Sequence, residues 1–595
     1  MTHIVKKLLS WLSNTFIFKT EPVLEDYLYD TRDSARCGVV RSLLANHTSY
    51  CLDEAKTTRL RLLTQDNPNV SKLIDIIQKI QKDLKGSLSE DIAVKPIGIE
   101  EEIPLIELMD ICTRFNNPKD HELDTRDLLL MLNSRVLDGI RTSRIINYGE
   151  NGLVTTIKLL SKNHWLTEHL ALVVLGICKV SIADGNRIYI EPASPAKKLA
   201  LDRVMFAVAF EELSLESDQI TFYHVANILC KGGIKDFDYY DTLMSQVLVS
   251  LIKNWRIGID GPVSSVFKYL KPFVAICIEC YGNNRLVPRR EVPKDYAYVY
   301  DIIFDHQSGL AVEDRLFDII DNKLAPGHVN LIQGMISVAE QIAFKTDGSN
   351  WNTKENLSDW QEKYVKQRLA RNSRIYVIDL EIRIENISQS VKSNFGVSSF
   401  DVDFMVRDNI AKKIYAIQLK HLKSVKTSGL LYWMSYLSNY NKKLSKAVVQ
   451  LTHCKNVFHN DDNLRKKIMK KALTDKIKIT ENEFDDVTPV VLHNIGTIDF
   501  WKMQEGVLLY DLNTFCNILD GRLAIMSKVE RDSLSSPENV KNEYEHCQPC
   551  DPDSVIHAYK NDKNFQKIKE FDLLSRVDRK IIHQDYEIIA KGLGI

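Results

Sequence analysis

The chain has 595 residues, 44% of them hydrophobic and 26% charged, and its 78 Lys and Arg nearly balance 79 Asp and Glu, for a formal net charge of −1. That length is too great for one ordinary core and predicts two to four domains. No run of about 18 apolar residues offers a transmembrane helix, and 11 cysteines without a signal peptide predict reduced thiols in the cytoplasm rather than a disulfide framework.

The opening segment MTHIVKKLLSWLSNTFIFKTE is apolar but interrupted by Lys6 and Lys7. It reads as an amphipathic helix packed on its own domain, with membrane-surface contact as the minor alternative. Residues 1–340 read as a mostly α-helical region of one or two subdomains. NVSKLIDIIQKIQKDLKG and DTRDLLLMLNSRVLDGI place apolar residues at i, i+3, i+4 and i+7. Asn69 or Ser71 is the expected start of the first of these helices and Gly86 its stop. LTEHLALVVLGICKVSIADG is apolar on most sides and predicts a buried helix, whereas IEPASPAKK and NNRLVPRREVPKD predict loops. Two CxxC pairs occur, Cys277/Cys280 in an apolar stretch and Cys547/Cys550 beside His546. A single pair with no second pair nearby is a weak zinc signal. No GxxxxGK[ST] loop is present, so a nucleotide-driven motor is not expected.

Around residue 374 the period changes. RIYVIDLEIRI and DVDFMV alternate, KKIYAIQLK is rich in β-formers, LSKAVVQLTHCKNVF reads as a helix, PVVLHNI and GVLLYDL as strands, and NTFCNILDG as a helix. The expectation is an α/β domain with a central mixed sheet over 341–525, followed by a charged loop and a helical tail over 526–595. The charge is uneven as well. Between Glu362 and Lys478 there are 24 Lys and Arg against 10 Asp and Glu, leaving 54 against 69 elsewhere. Such a basic segment suits a phosphate-binding surface. The run LRKKIMKK, with Lys466, Lys467, Lys470 and Lys471, is the expected phosphate contact, its plainer reading being a solvated helix face.

Asp408 and Asn409 in RDNIAKK predict a hairpin turn. A hairpin symmetric about it sets Asp403 opposite Gln418 and Asp401 opposite Lys420, four polar side chains on one face. The other face, Val402, Phe404, Tyr415, Ile417 and Leu419, is apolar and predicts packing on a helix. Cutting a phosphodiester needs an activated water, charge neutralisation and a group that orients the nucleophile. Oxygen donors such as Asp403 and Gln418 suit Mg²⁺ or Mn²⁺, and Lys420 suits the last role. Asp401 and Lys420 also read as a simple cross-strand ion pair. Tyr432, Trp433, Tyr436 and Tyr440 fit one side of a helix, for packing before base stacking. His421, His453, His459 and His493 match no ligand spacing.

Asp403 in FDVDFMV, followed by a strand ending Gln418-Leu419-Lys420, resembles the core of PD-(D/E)xK nucleases, and the Gln-x-Lys form is similar to that of Mrr-type restriction endonucleases. Glu362 in WQEKYVKQRLA matches the family's first-helix glutamate, and Gln450 in KAVVQL resembles a glutamine on its next helix. The resemblance covers roughly 170 residues. It implies a metal-dependent endonuclease in which Asp403, Gln418 and Glu362 bind Mg²⁺ or Mn²⁺ and Lys420 completes the catalytic set. The implied partner is nucleic acid, DNA before RNA, with a role in defence against foreign DNA by analogy. The helical region is then free to bind a protein partner or trigger, and a homo-oligomer is compatible with the sequence. The alternatives are an RNase on the same fold and a nuclease-like binding or scaffold protein without catalysis.

Overall fold

The computed structural model describes residues 54–64, 67–87, 149–183, 185–204, 206–207, 247, 255, 263–282, 285–310, 315–327, 331–346, 353–379, 382–384, 400–422, 444, 447–448, 450–452, 458, 461–503, 506–521, 547–561 and 578–591. The expected helices at the N-terminus and at DTRDLLLMLNSRVLDGI, and the aromatic residues from Tyr432 to Tyr440, lie outside them. In chain order the elements are α1 (Glu54–Leu63), α2 (Asn69–Ser87), α3 (Gly149–Val174), β1 (Cys178–Ala183), β2 (Arg187–Pro192), α4 (Val263–Cys277), α5 (Ala297–Ser308), β3 (Phe317–Ile320), β4 (Lys323–Pro326), α6 (Leu331–Thr346), α7 (Thr353–Ala370), β5 (Ile375–Ile378), β6 (Ile382–Ile384), β7 (Phe400–Val402), β8 (Phe404–Asp408), β9 (Lys413–Lys420), α8 (Asp462–Thr474), β10 (Thr488–His493), β11 (Trp501–Lys502), β12 (Leu508–Asp511), α9 (Leu512–Leu519), α10 (Pro552–Lys560), β13 (Asp578–His583) and β14 (Tyr586–Lys591). Helices therefore combine with mixed sheets, as the sequence predicts. Among the described residues no helix is long and apolar enough to cross a membrane.

Two local expectations are corrected. The apolar stretch read as one buried helix ends its helix at Val174. After Gly176, whose φ of 73° favours glycine, it becomes β1. The β-branched alternation of CKVSIA fits a half-buried strand better than a helix face. In the tail, α10 is a helix as expected, but 578–591 is a β-hairpin. Its strand β14 pairs in parallel with β2, giving a four-stranded sheet ordered β1-β2-β14-β13. Ile588 and Ile188 are level in that pairing and both fully buried.

The six-stranded sheet runs β11-β12-β10-β9-β8-β5. β5, β8 and β9 form an antiparallel meander, and β9, β10 and β12 are parallel. A helix covers each face. Phe404, Val406, Tyr415, Ile417 and Leu419 pack with Val365 and Leu369 of α7 and with Phe515 and Ile518 of α9. Met405, Ile414 and Ala416 pack with the helical residues Leu444, Ala447, Val448 and Leu451 and with Ile468 of α8. Both faces being covered, β9 and β10 are buried along nearly their whole length.

The β8–β9 turn is built by Asp408. Its Oδ1 accepts the N–H groups of Ile410 and Ala411 at 2.9 and 3.0 Å, and Arg374 Nε reaches both carboxylate oxygens at 2.9 Å. Burial alone pushes this carboxyl upward, but the arginine and the two amides prevail and hold it below its ordinary value. Its contribution to stability is thus present above the unfolded-state value and lost as pH falls through the lower folded one. Arg374→Ala strands a fully buried carboxylate and is expected to cost about 3–5 kcal/mol. In equilibrium urea unfolding that deficit should be present at pH 7 and shrink in acid, and a deficit unchanged in acid would contradict the assignment to Asp408.

Candidate functional site

From Phe404 to Asp408 the hairpin register is the one the turn predicts, with Phe404 facing Ile417 and Asp408 facing Lys413. The expected pairing of Asp401 with Lys420 is corrected: Asp401 is level with Arg383 of β6. The register changes at Asp403. The Asp403 N–H donates to Ile417 O at 3.0 Å although Phe404 is already paired with Ile417. Two residues of one strand therefore oppose one of the other, a β-bulge. One inserted residue reverses the side-chain alternation, and this corrects the expected apolar face. Phe404 lies in the core under α7, while Val402 lies in the core on the opposite face of the sheet. The bulge also turns Asp403 inward, where its Oδ2 accepts the Leu419 N–H at 2.6 Å, so a side chain stands in for a ladder acceptor.

Gln418 is 3% exposed. Its Nε2 donates to Asp401 O and to Gln450 Oε1, each at 3.0 Å. Both amide hydrogens are thereby used and the rotamer is fixed, and the buried Oε1 has no hydrogen-bond partner among the described residues. An orphaned buried oxygen costs about 1–3 kcal/mol and calls for a ligand, an ion or a water.

Burial pushes the Asp403 carboxyl above its ordinary value. The Leu419 N–H and the Lys420 charge draw it down, and the charges of Glu362 and Asp401 push it up again. The same influences show which groups share the site: Lys420, Glu362 and Asp401 each lie within electrostatic reach of Asp403. Glu362 is ion-paired with Lys366 one helical turn on, and Lys366 also binds Asp379. The Lys366 ammonium lies 5.3 Å from the Phe404 ring centroid. Asp401 is exposed in the middle of β7, and Lys420 is half-buried. The parallel strands set Lys420, His493 and Asp511 level with one another at their carboxyl ends, where open α/β sheets hold ligands.

The structure thus gathers Asp403, Gln418, Lys420 and Glu362, together with Gln450. The α8 lysines sit apart from this group. Lys466, Lys467 and Lys470 are exposed, Lys471 pairs with Asp475 at 3.3 Å, and Asp475 accepts from Tyr376 of the edge strand β5 at 2.6 Å. Among the described residues no group of three or more His, Cys, Asp and Glu could hold a metal by itself. Cys277 and Cys280 are buried in the core, and burial pushes both thiols up, as it does Cys547. Sequence reasoning missed Lys366, although its i,i+4 spacing from Glu362 was readable. It also missed Gln361, whose Nε2 donates to His421 Nδ1 at 3.1 Å, a contact that no sequence spacing announces.

Comparison with protein-family models, curated proteins and solved structures found no match to this chain.

Proposed function

We propose that residues 341–525 form a metal-dependent phosphodiesterase of the PD-(D/E)xK type, acting on DNA before RNA, with the helical region serving to recognise a partner or trigger. The observation that carries this reading is the buried amide oxygen of Gln418, without a donor among the described residues, beside a half-buried carboxylate and a lysine. Two further features support it. Of the elements that build the six-stranded sheet and its covers, α7 comes first, then the antiparallel strands β5, β8 and β9. Helical residues with α8 follow, then the parallel strands β10 and β12, and the site occupies the end of that sheet.

The donor chemistry fits a hard divalent cation such as Mg²⁺ or Mn²⁺: Asp403, the Gln418 amide oxygen and Glu362 would hold it. When bound, such an ion neutralises phosphate charge and acidifies water. The protein's own part follows from its residues. Gln450 and Asp401 O keep the Gln418 oxygen aimed, and the Leu419 N–H keeps Asp403 oriented. Lys420 offers its ammonium to the attacking water and to the charge that grows on the phosphate. The exposed lysines of α8 suit backbone contacts farther along a bound strand. One observation favours a second reading, a nuclease-like binding module: Glu362 is already neutralised by Lys366.

Metal titration separates them. Gln418→Ala removes an oxygen donor and is expected to weaken Mn²⁺ binding by about tenfold or more, whereas Gln418→Glu keeps or tightens it. Calorimetry on both variants, with nucleic acid present, provides the check. Unchanged affinity in Gln418→Ala removes Gln418 from the site, and no metal binding by the native chain favours the binding module.

A further inference from the structure

Gln361 is 1% exposed and directly precedes Glu362 on α7. Its Nε2 donates to Trp255 O at 2.6 Å and to His421 Nδ1 at 3.1 Å. The contact with a carbonyl oxygen fixes which end of the amide is nitrogen, because two oxygens so close would repel. The second amide hydrogen then meets His421 Nδ1, which must accept, so the ring proton resides on Nε2. Trp255 is itself held: it is fully buried, and its indole Nε1 donates at 2.9 Å to Glu340 Oε1, a carboxylate only 4% exposed. One side chain therefore joins three parts of the chain. These are the turn of α7 that carries Glu362, the residue next to Lys420 at the end of β9, and a main-chain carbonyl of the helical region.

We propose that Gln361 is a positioning residue for the reaction proposed above, anchored on Trp255, locking His421 as its Nε2–H tautomer and holding the Lys420 end of β9 against the Glu362 turn of α7. Its catalytic consequence rests on the nuclease reading, and its geometry does not. A misplacement of even 1 Å in groups of this kind lowers rates about a hundredfold, so a buried hydrogen-bonded clamp between the two elements is where the helical region acts on the site.

The test uses the full chain labelled with ¹⁵N at histidine, with His421→Gln supplying the assignment by loss of its signals. At neutral pH native His421 is expected to show an unprotonated, hydrogen-bonded Nδ1 and a protonated Nε2. Gln361→Glu, nearly the same shape, turns the donor into an acceptor and should bring a proton onto Nδ1. Gln361→Leu should shift Nδ1 toward a nitrogen without a hydrogen bond. A protonated Nδ1 in the native chain, or His421 signals that Gln361→Leu leaves unmoved, would overturn the clamp. In parallel, Gln361→Leu should lower kcat for DNA cleavage about tenfold or more with KM within about twofold, and a native kcat would overturn the positioning role. If the native chain cleaves nothing, the nuclease reading fails while the ring-nitrogen signals still decide the clamp.

Discussion

Lys420→Ala is expected to lower cleavage by about two to three orders of magnitude while leaving the fold intact. Lys420 is half-buried at the last position of β9, whereas its neighbours Leu419 and Ile417 carry the packing. The substitution therefore removes a charge from the site and little apolar contact from the core. Circular dichroism and the urea midpoint should stay near native values as kcat falls. Native activity in this variant would remove Lys420 from the reaction.

Asp403→Asn is the second large effect. Asp403 is a half-buried carboxylate, and its Oδ2 accepts the Leu419 N–H at 2.6 Å. An asparagine oriented to keep that bond through its carbonyl preserves the bulge but has no negative charge to offer a cation. Loss of metal-dependent cleavage by about a hundredfold or more is expected. The pH dependence is informative too. Because the Asp403 carboxyl sits above its ordinary value, chiefly through burial, it takes up a proton earlier on acidification than an exposed aspartate. The sign for stability follows: its protonated form favours folding below the unfolded-state value, and that contribution is lost as pH rises through the folded one. Metal binding must displace this proton, so Mn²⁺ affinity of the native chain should fall on acidification, and Asp403→Asn should lose the part of that dependence that Asp403 sets. Full activity of Asp403→Asn at ordinary Mg²⁺ would shift the role to Asp401.

The hairpin register was legible because Asp408 and Asn409 mark the turn and the β-formers on either side leave one symmetric pairing. The bulge was not. Alternation predicts that Val402 and Phe404 share a face, and only the doubled pairing on Ile417 sends them to opposite cores. Gln418 could be named from its place two residues before Lys420, but its orphaned oxygen depends on Gln450, 32 residues away in sequence. The tail misled because IIHQDYEII carries a turn at Gln584, with φ of 51°, that composition does not announce. Its strand partner β2 is some 400 residues distant, as in the Arg187–Glu587 contact. Gln361 was invisible for the same reason: its partners, Trp255 and His421, come from separate stretches of chain.

The most direct test of the central reading is cleavage itself. Purified full-length chain is incubated with plasmid, linear duplex, single-stranded DNA and RNA, each with Mg²⁺, Mn²⁺ or EDTA, beside Lys420→Ala. The expected result is DNA cleavage with either metal, none in EDTA and none above background in the variant. Intact substrates in every metal condition, or cleavage that EDTA and Lys420→Ala leave unchanged, would contradict it.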